Sequence, residues 1–461
     1  MIDFEKTKKI YFIGIGGIMM SAVARFFIER GVEVSGSDRE MSEITDKLEK
    51  IGASVVKGHS VANLTNEFDL VITTEAIELD NPELIRANDL KLPVFTVYQI
   101  LGELSKDKYT IAVAGMHGKS TSSSMMGLLL EAAGLDPTIF IGTQLKEYDG
   151  NFRMGKSEYI VSEACEYRDN FLNYYPSIGV ITNIEAEHLD YFKNITGVKK
   201  SFKTFASQIK EDGWLVYNGD DKNTKNVARG CRANKISFGV EADGLDFRAE
   251  NIEVGEDGNV RFEIKSKKLK EFDGIRFSLK VPGKFNVYNA LSVIAVAAIL
   301  EIKIQIIQEV LSKFSGVWRR FEFRGESEGI SYYDDYAHHP TEIKATLQAV
   351  KEKFGNKKVW IIYQPHLYSR TNDFMGEFAE SLNLAENLLI APIYAAREDN
   401  KWGIENSDLV VLMNKKYKRV SKVKSFSSFE LIRKYLKENV ASGEVVMTMG
   451  AGDVFKVVEM E

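Results

Sequence analysis

The chain has 461 residues, 44% hydrophobic and 27% charged, with 60 basic and 66 acidic residues for a net charge of −6. That length exceeds one ordinary core and predicts roughly three domains of about 150 residues, and the composition excludes a disordered or fibrous chain. The slightly acidic balance excludes a general attraction to nucleic acid or anionic membrane, and two cysteines, Cys165 and Cys231, exclude a disulfide framework.

Apolar runs of strand length alternate with segments of helical period, which predicts α/β architecture with mainly parallel sheets. A first strand, Ile10–Ile13, runs into the turn Gly14-Ile15-Gly16-Gly17 and a helix from Met20 to about Arg30. A second strand, Glu33–Ser35, leads to Asp38, at the distance of a ribose-binding carboxylate. The third glycine of a dinucleotide fingerprint would fall at Met19, so a nicotinamide fold is incomplete here. A glycine turn before a helix N-terminus still suits a diphosphate, the alternative being a strand–turn–helix that binds nothing. The polar patch Glu103–Lys108 reads as a linker, giving a first domain of 1–105.

The second block, 106–315, opens with the strand Tyr109–Ala114 and a helix over Ser120–Ala133. Between them lies Gly115-Met116-His117-Gly118-Lys119-Ser120-Thr121. Glycines let backbone N–H groups converge on a phosphate chain, Lys119 supplies a point charge, and the Ser120 hydroxyl suits Mg²⁺. Glu163 ends the strand Tyr159–Ser162, and His188 follows the strand Ile178–Thr182. Ligands of an open α/β sheet gather beyond the carboxyl ends of its strands, so both side chains could join Ser120 on a metal. His188 alone suits a capping or surface histidine equally well. A hairpin-like stretch, Ile252–Lys280, turns at Glu256-Asp257-Gly258, and a helix from about Asn286 to Leu300 follows. The third block, 316–461, shows strands at Ile330–Tyr333, Val359–Tyr363, Leu388–Ala391 and Val445–Met449.

Together, Gly115 through Ser120, Glu163-Ala164-Cys165-Glu166-Tyr167, Asn183 through His188, and Asp334-Asp335-Tyr336-Ala337-His338-His339-Pro340 resemble the Mur ligases of peptidoglycan synthesis. Gln364-Pro365-His366, Tyr394 through Arg397 and Met449 through Asp453 extend the resemblance over essentially the whole chain. It implies a Rossmann-like N-terminal domain for a UDP-sugar, a central P-loop-type ATPase domain and a Rossmann-like C-terminal domain admitting an amino acid. Implied substrates are UDP-N-acetylmuramate and L-alanine, with ATP and Mg²⁺. The charged stretch Met1–Lys9 and the lack of a run of about 18 apolar residues point to a cytoplasmic chain without membrane insertion, expected as a monomer or homodimer. By the same resemblance Glu163 and His188 are metal ligands, Asn289 lies near adenine, and Arg320 and Asp335 near the phosphates and ribose. Tyr336, His338 and Arg370 would flank the amino acid, and Gly16, Gly17, Asp38, His59 and Thr74 the UDP-sugar. A plain loop histidine remains the alternative for His59, and plain surface charges for Arg319 and Arg320. Met19, Met116, Phe285, Trp318 and Leu367 depart from the family pattern, and Ser120 keeps the hydroxyl of the usual threonine.

A carboxylate does not condense with an amine in water, because it is not electrophilic and hydroxide leaves poorly. Phosphorylation by ATP gives an acyl phosphate, a transfer that needs positioning and charge neutralisation. The amine must then lose a proton, for which His338 and His339 are the candidates, with orientation of the amino acid as the other role for His338. Arg370 matches the amino-acid carboxylate. A murein-peptide ligase taking a recycled tripeptide, and a nucleotide-binding regulatory paralogue, are the alternative readings.

Overall fold

Strand and helix periods resolve into three sheets in the computed structural model, which describes residues 4–255, 257–396, 398–418 and 422–459. The N-terminal sheet holds β1 (Lys9–Ile13), β2 (Glu33–Asp38), β3 (Ser54–Lys57), β4 (Leu70–Thr73) and β5 (Val94–Thr96), all parallel, in the order β3-β2-β1-β4-β5. Strand order reverses between β1 and β4, so the glycine turn after β1 stands at a switch point, where such sheets bind ligands. The following helix, Ile18–Glu29, starts two residues before the expected Met20, and Met19 is 8% exposed within the core. Methionine in the third-glycine place thus packs inward beside Met20.

In the central region β6 (Tyr109–Ala114), β7 (Thr138–Leu145), β8 (Gly150–Arg153), β9 (Tyr159–Glu163), β10 (Ile178–Ile181), β11 (Trp214–Asn218) and β12 (Asn234–Gly239) run in the order β12-β11-β10-β6-β9-β7-β8. All neighbours in that run are parallel except β7 and β8. β13 (Phe247–Val254), β14 (Val260–Lys265) and β15 (Arg276–Leu279) follow. The expected hairpin turn is closed by Gly255 N–H donating to the Asn259 carbonyl, with Gly258 at φ +76°; Glu256 lies outside the described residues. The C-terminal sheet comprises β16 (Glu322–Ser327), β17 (Ile330–Asp335), β18 (Val359–Tyr363), β19 (Asn387–Ile390), β20 (Val423–Ser425) and β21 (Val445–Met449). Its order is β16-β17-β21-β18-β19-β20, with only β16 antiparallel to its neighbour.

The three-domain α/β architecture expected from the sequence is the one observed, with differences in detail. Glu103–Lys106, read as linker, is the end of the helix Val97–Lys106, whose Thr96 and Gln99 form a capping box. The β7–β8 pair was not expected from the sequence, although Asp149-Gly150 carries a hairpin signal.

The chain folds into two compact units. One comprises Met1–Glu250, Glu263–Arg276 and Tyr288–Leu311; the other comprises Asn251–Phe262, Phe277–Val287 and Ser312–Glu461. The first unit contains both the N-terminal sheet and the run β12 to β8. They meet where the Phe26 ring lies 5.8 Å from Phe140 and 6.3 Å from Phe152. Beside those rings the Asn151 carboxamide donates to the Ile18 carbonyl and to Ser21 Oγ. Among the described residues no helix is long and apolar enough to cross a membrane.

Candidate functional site

The turn from β6 into the helix Lys119–Ala132 is shaped by Gly115 at φ +136° and Gly118 at φ +85°. A Cβ at Gly115 would strike the Thr182 hydroxyl, and one at Gly118 the Asn289 carboxamide, so space and backbone angle both call for glycine. Asn183 holds the loop from below: its Oδ1 accepts from His117 N–H at 2.9 Å and its Nδ2 donates to the His117 carbonyl at 2.9 Å. Met116 is 6% exposed and packs in the core. Asn289 also accepts from Ser122 Oγ at 3.4 Å, which seats it against the first turn of the helix that carries Ser120 and Thr121.

Lys119 Nζ donates to the Gly115 and Met116 carbonyls and lies 2.9 Å from Glu166 Oε2. Burial works against its charge, but Glu166, Cys165 and Glu163 outweigh burial and raise its pKa. Glu166, 2% exposed, is correspondingly held down to about 2: burial opposes its charge, and Lys119 and His188 more than offset it. Ser120 Oγ donates to Glu163 Oε2 at 2.8 Å, and Gly142 N–H donates to the same oxygen at 3.0 Å. The structure therefore brings Ser120 and Glu163 together, and adds Glu166, which the sequence did not single out. His188 Nε2 faces Glu166 Oε1 at 3.4 Å, and its ring packs 4.9 Å from Tyr167. His188 occupies the N-cap position of Leu189–Phe192 at φ +54°, yet its side chain makes no capping bond.

Ser120 and Glu163 suit magnesium, while His188 is placed against Glu166. Ser120 and Glu163 offer two hard oxygens 2.8 Å apart. Neighbouring ligands of an octahedral ion with bonds of about 2.1 Å are about 3 Å apart.

In the N-terminal sheet, Gly14 and Ile15 N–H groups donate to the Ser37 carbonyl, and Gly16 N–H donates to Asp38 Oδ2 at 2.9 Å. Gly17 is the N-cap of the following helix, and Thr74 lies beside Gly14 at the end of β4. His59 Nδ1 lies 2.9 Å from Ser37 Oγ and 3.0 Å from Glu83 Oε2. Glu83, fully buried, also accepts from Tyr11 OH at 2.9 Å, Ser37 Oγ and Asn63 Nδ2 at 2.7 Å. His59 is therefore not a plain loop histidine but part of a buried polar cluster behind the glycine turn.

Within the second unit, Arg319 corrects one expectation: it is 3% exposed, not a surface charge. Its guanidinium donates to Asp334 Oδ2 at 2.7 Å and to the Gly450 and Gly452 carbonyls. Arg320 lies 3.6 Å from Glu342 and 5.2 Å from the Tyr336 ring. Asp335 accepts from Phe321 and Ala337 N–H groups and from Thr346 Oγ1, and burial raises its pKa to about 6 against the pull of Arg320. His338 Nδ1 lies 3.0 Å from the Tyr336 carbonyl and 3.2 Å from Glu342. Burial lowers its pKa to about 3 and that of His366 to about 4, with Arg370 adding to both. His339 Nδ1 accepts from Thr341 N–H, so this ring caps the helix Pro340–Phe354. Leu367, at φ +68°, leads into Tyr368–Asp373, the helix carrying Arg370. His366, stacked on Tyr394 at 5.5 Å, is a further residue of this cluster that the sequence did not single out; Arg397 lies outside the described residues.

Three family models match in order: the Mur ligase family catalytic domain over residues 9–109, the Mur ligase middle domain over 113–297 and the Mur ligase glutamate ligase domain over 319–452. The UDP-N-acetylmuramate–L-alanine ligase of Caldanaerobacter subterraneus subsp. tengcongensis is 43% identical over 459 residues, 99% of this chain and 98% of the relative. That of Clostridium acetobutylicum is 44% identical over 98% of this chain and 97% of the relative. Among solved structures, the UDP-N-acetylmuramate–alanine ligase of Thermotoga maritima superposes with a TM-score of 0.82 at 29% identity, covering 97% of both chains. A murein peptide ligase of Psychrobacter arcticus shares the fold, with a TM-score of 0.72 at 24% identity over 98% of this chain and 97% of its own.

Proposed function

The chain belongs to the Mur ligase family, and from that premise we propose that it joins L-alanine to the carboxylate of UDP-N-acetylmuramate at the expense of ATP. The observation that carries the reading is the loop in which Lys119 sits at a helix N-terminus, with Ser120–Glu163 and Glu166–His188 at neighbouring strand ends. Helix N–H groups and an ammonium grip a polyphosphate, and carboxylates beside a hydroxyl hold its cation. Mg²⁺ held by Ser120, Glu163 and His188 would neutralise charge on the β- and γ-phosphates.

Residues 1–105 hold the UDP-sugar over Gly16, Gly17, Asp38, His59 and Thr74 in this reading. Residues 106–315 hold ATP, with Asn289 toward adenine, and 316–461 the amino acid, in a cytoplasmic enzyme. Lys119 steadies the γ-phosphoryl group as the sugar carboxylate attacks it in line, giving the acyl phosphate and ADP. Arg370 pairs with the carboxylate of L-alanine, and Tyr336 and His338 orient its amine, whose attack on the acyl carbon expels phosphate, the leaving group carrying away the amine's proton. Arg320 and Asp335 contact the nucleotide.

Phosphate release with UDP-N-acetylmuramate and each amino acid in turn tests this. The fastest turnover is expected with L-alanine. Turnover with the tripeptide but not L-alanine would move the assignment to the murein-peptide reaction, and full ligation by Lys119→Ala would remove the ATP-site assignment.

A further inference from the structure

Glu166 is a paradox in a phosphate-binding loop. Its carboxylate is 2% exposed, lies 2.9 Å from the Lys119 ammonium and 3.4 Å from His188, and so occupies the cation that a phosphate would claim. Ser120 and Gly142 commit their hydrogen bonds to Glu163 instead, so the two carboxylates have separate partners. Around the loop Lys119 contributes one positive charge, and Glu163 and Glu166 contribute two negative ones. A nucleotide arriving without a cation adds several negative charges to a pocket already net negative, within a few ångströms and partly shielded from water. At such distances and an effective dielectric near 20, each like-charge pair costs on the order of kilocalories per mole. A divalent cation reverses that balance.

We propose that Glu166 makes nucleotide binding conditional on a divalent cation: it screens Lys119 from bare phosphate and leaves the pocket attractive only to the metal complex. This rests on the ATP-site reading above. In it Glu166 is a positioning and selectivity residue, acting through Lys119 and His188, and needs no direct contact with the nucleotide.

Calorimetric titration of ADP into the whole protein, once with EDTA and once with MgCl₂, tests the proposal without turnover. Glu166→Gln keeps the shape of the side chain and removes its charge. In EDTA it is expected to bind ADP about tenfold more tightly than the parent, because one repulsive charge near the phosphates is gone. With MgCl₂ the affinity stays the same or falls, so the enhancement by metal shrinks. Equal or weaker metal-free binding by Glu166→Gln overturns the proposal. Should that variant fail to fold by circular dichroism, Glu166→Asp takes its place. Its retracted charge should relax metal-free binding in the same direction to a smaller extent, and an unchanged affinity refutes the idea equally. Lys119→Ala separates the two readings. Loss of ADP binding in that variant with no tightening in Glu166→Gln sinks this proposal alone, whereas parent-like binding by Lys119→Ala sinks the site assignment itself.

Discussion

His338 and His366 lie with ring centroids 5.9 Å apart, and burial lowers their pKa values to about 3 and about 4. At neutral pH both rings are uncharged in the folded chain. With Nδ1 of His338 turned to the Tyr336 carbonyl and Glu342, its Nε2 carries the lone pair. Such a nitrogen can accept a hydrogen bond from an amine, but its conjugate acid is too strong to retain the proton. That favours orientation of the amino acid over proton storage, and His339, as a helix cap, offers no substitute. The same burial sets a pH dependence of stability. Above about pH 6.5 neither state protonates these rings; as pH falls through that value the unfolded chain takes up protons that the folded chain refuses. Stability is lost progressively toward the folded values, by up to about 1.4 kcal/mol per pH unit for each ring. Asp335, raised to about 6, works in the opposite sense between pH 6 and 4, since there the folded state binds the extra proton. His338→Asn retains a donor toward Tyr336 and removes one of the two opposing rings. Its urea midpoint should therefore fall less between pH 6.5 and 4.5 than the parent's, and parallel curves would show that this imidazole is not held neutral.

The turn at Gly118 joins β6 to the helix Lys119–Ala132 and aligns that helix's free N–H groups with the loop. Alanine there meets two separate obstacles: a left-handed φ of +85°, costing about 1–3 kcal/mol for a residue with a Cβ, and the Asn289 carboxamide in the space that Cβ would fill. Gly118→Ala should lower the melting temperature and weaken ADP binding at least tenfold, because the loop must rotate away from the phosphates. Adding Asn289→Ala removes the collision without placing a glycine inside the helix Lys284–Ile299, so the double variant should recover part of the melting temperature. No recovery would mean that the backbone angle alone decides. This loop was legible in the sequence because strand, glycines, lysine and helix are adjacent in the chain, and so was the Ser120–Glu163 pair, since both follow strand ends. Glu166 was not: three residues past Glu163 it resembles one more exposed acid, and its burial against Lys119 and His188 comes from segments distant in the chain. Glu83 was hidden for the same reason, its partners Tyr11, Ser37, His59 and Asn63 coming from distant stretches. The methionine at position 19 misled differently, because the sequence shows the missing glycine but not that the helix starts early enough to bury the side chain.

At the scale of the molecule, the N-terminal sheet and the β12-to-β8 run belong to one compact unit, and the link between them is specific. Phe26 packs against Phe140 and Phe152, Arg168 donates to the Glu75 carbonyl at 3.2 Å, and the Asn151 carboxamide holds Ile18 and Ser21 at the start of the helix behind the glycine turn. Under the proposed function, that link fixes the distance from the sugar carboxylate to the γ-phosphate. Positioning carries much of such a reaction, and a displacement of about 1 Å costs on the order of a hundredfold in rate. Asn151→Leu keeps the bulk but deletes both hydrogen bonds and leaves the Ile18 carbonyl with one donor fewer. In the proposed reading Asn151 is among neither ligand's contact residues, so ADP and UDP-N-acetylmuramate, titrated separately, should bind within about threefold of the parent affinity. The ligation rate at saturating substrates should fall by about tenfold to a hundredfold, since only the relation between the sites has changed. A variant that loses affinity for one ligand in proportion to its rate would instead place Asn151 inside that ligand's site, and an unchanged rate would show that the remaining contacts, the aromatic rings and the Arg168–Glu75 bond among them, hold the two sheets in register without Asn151.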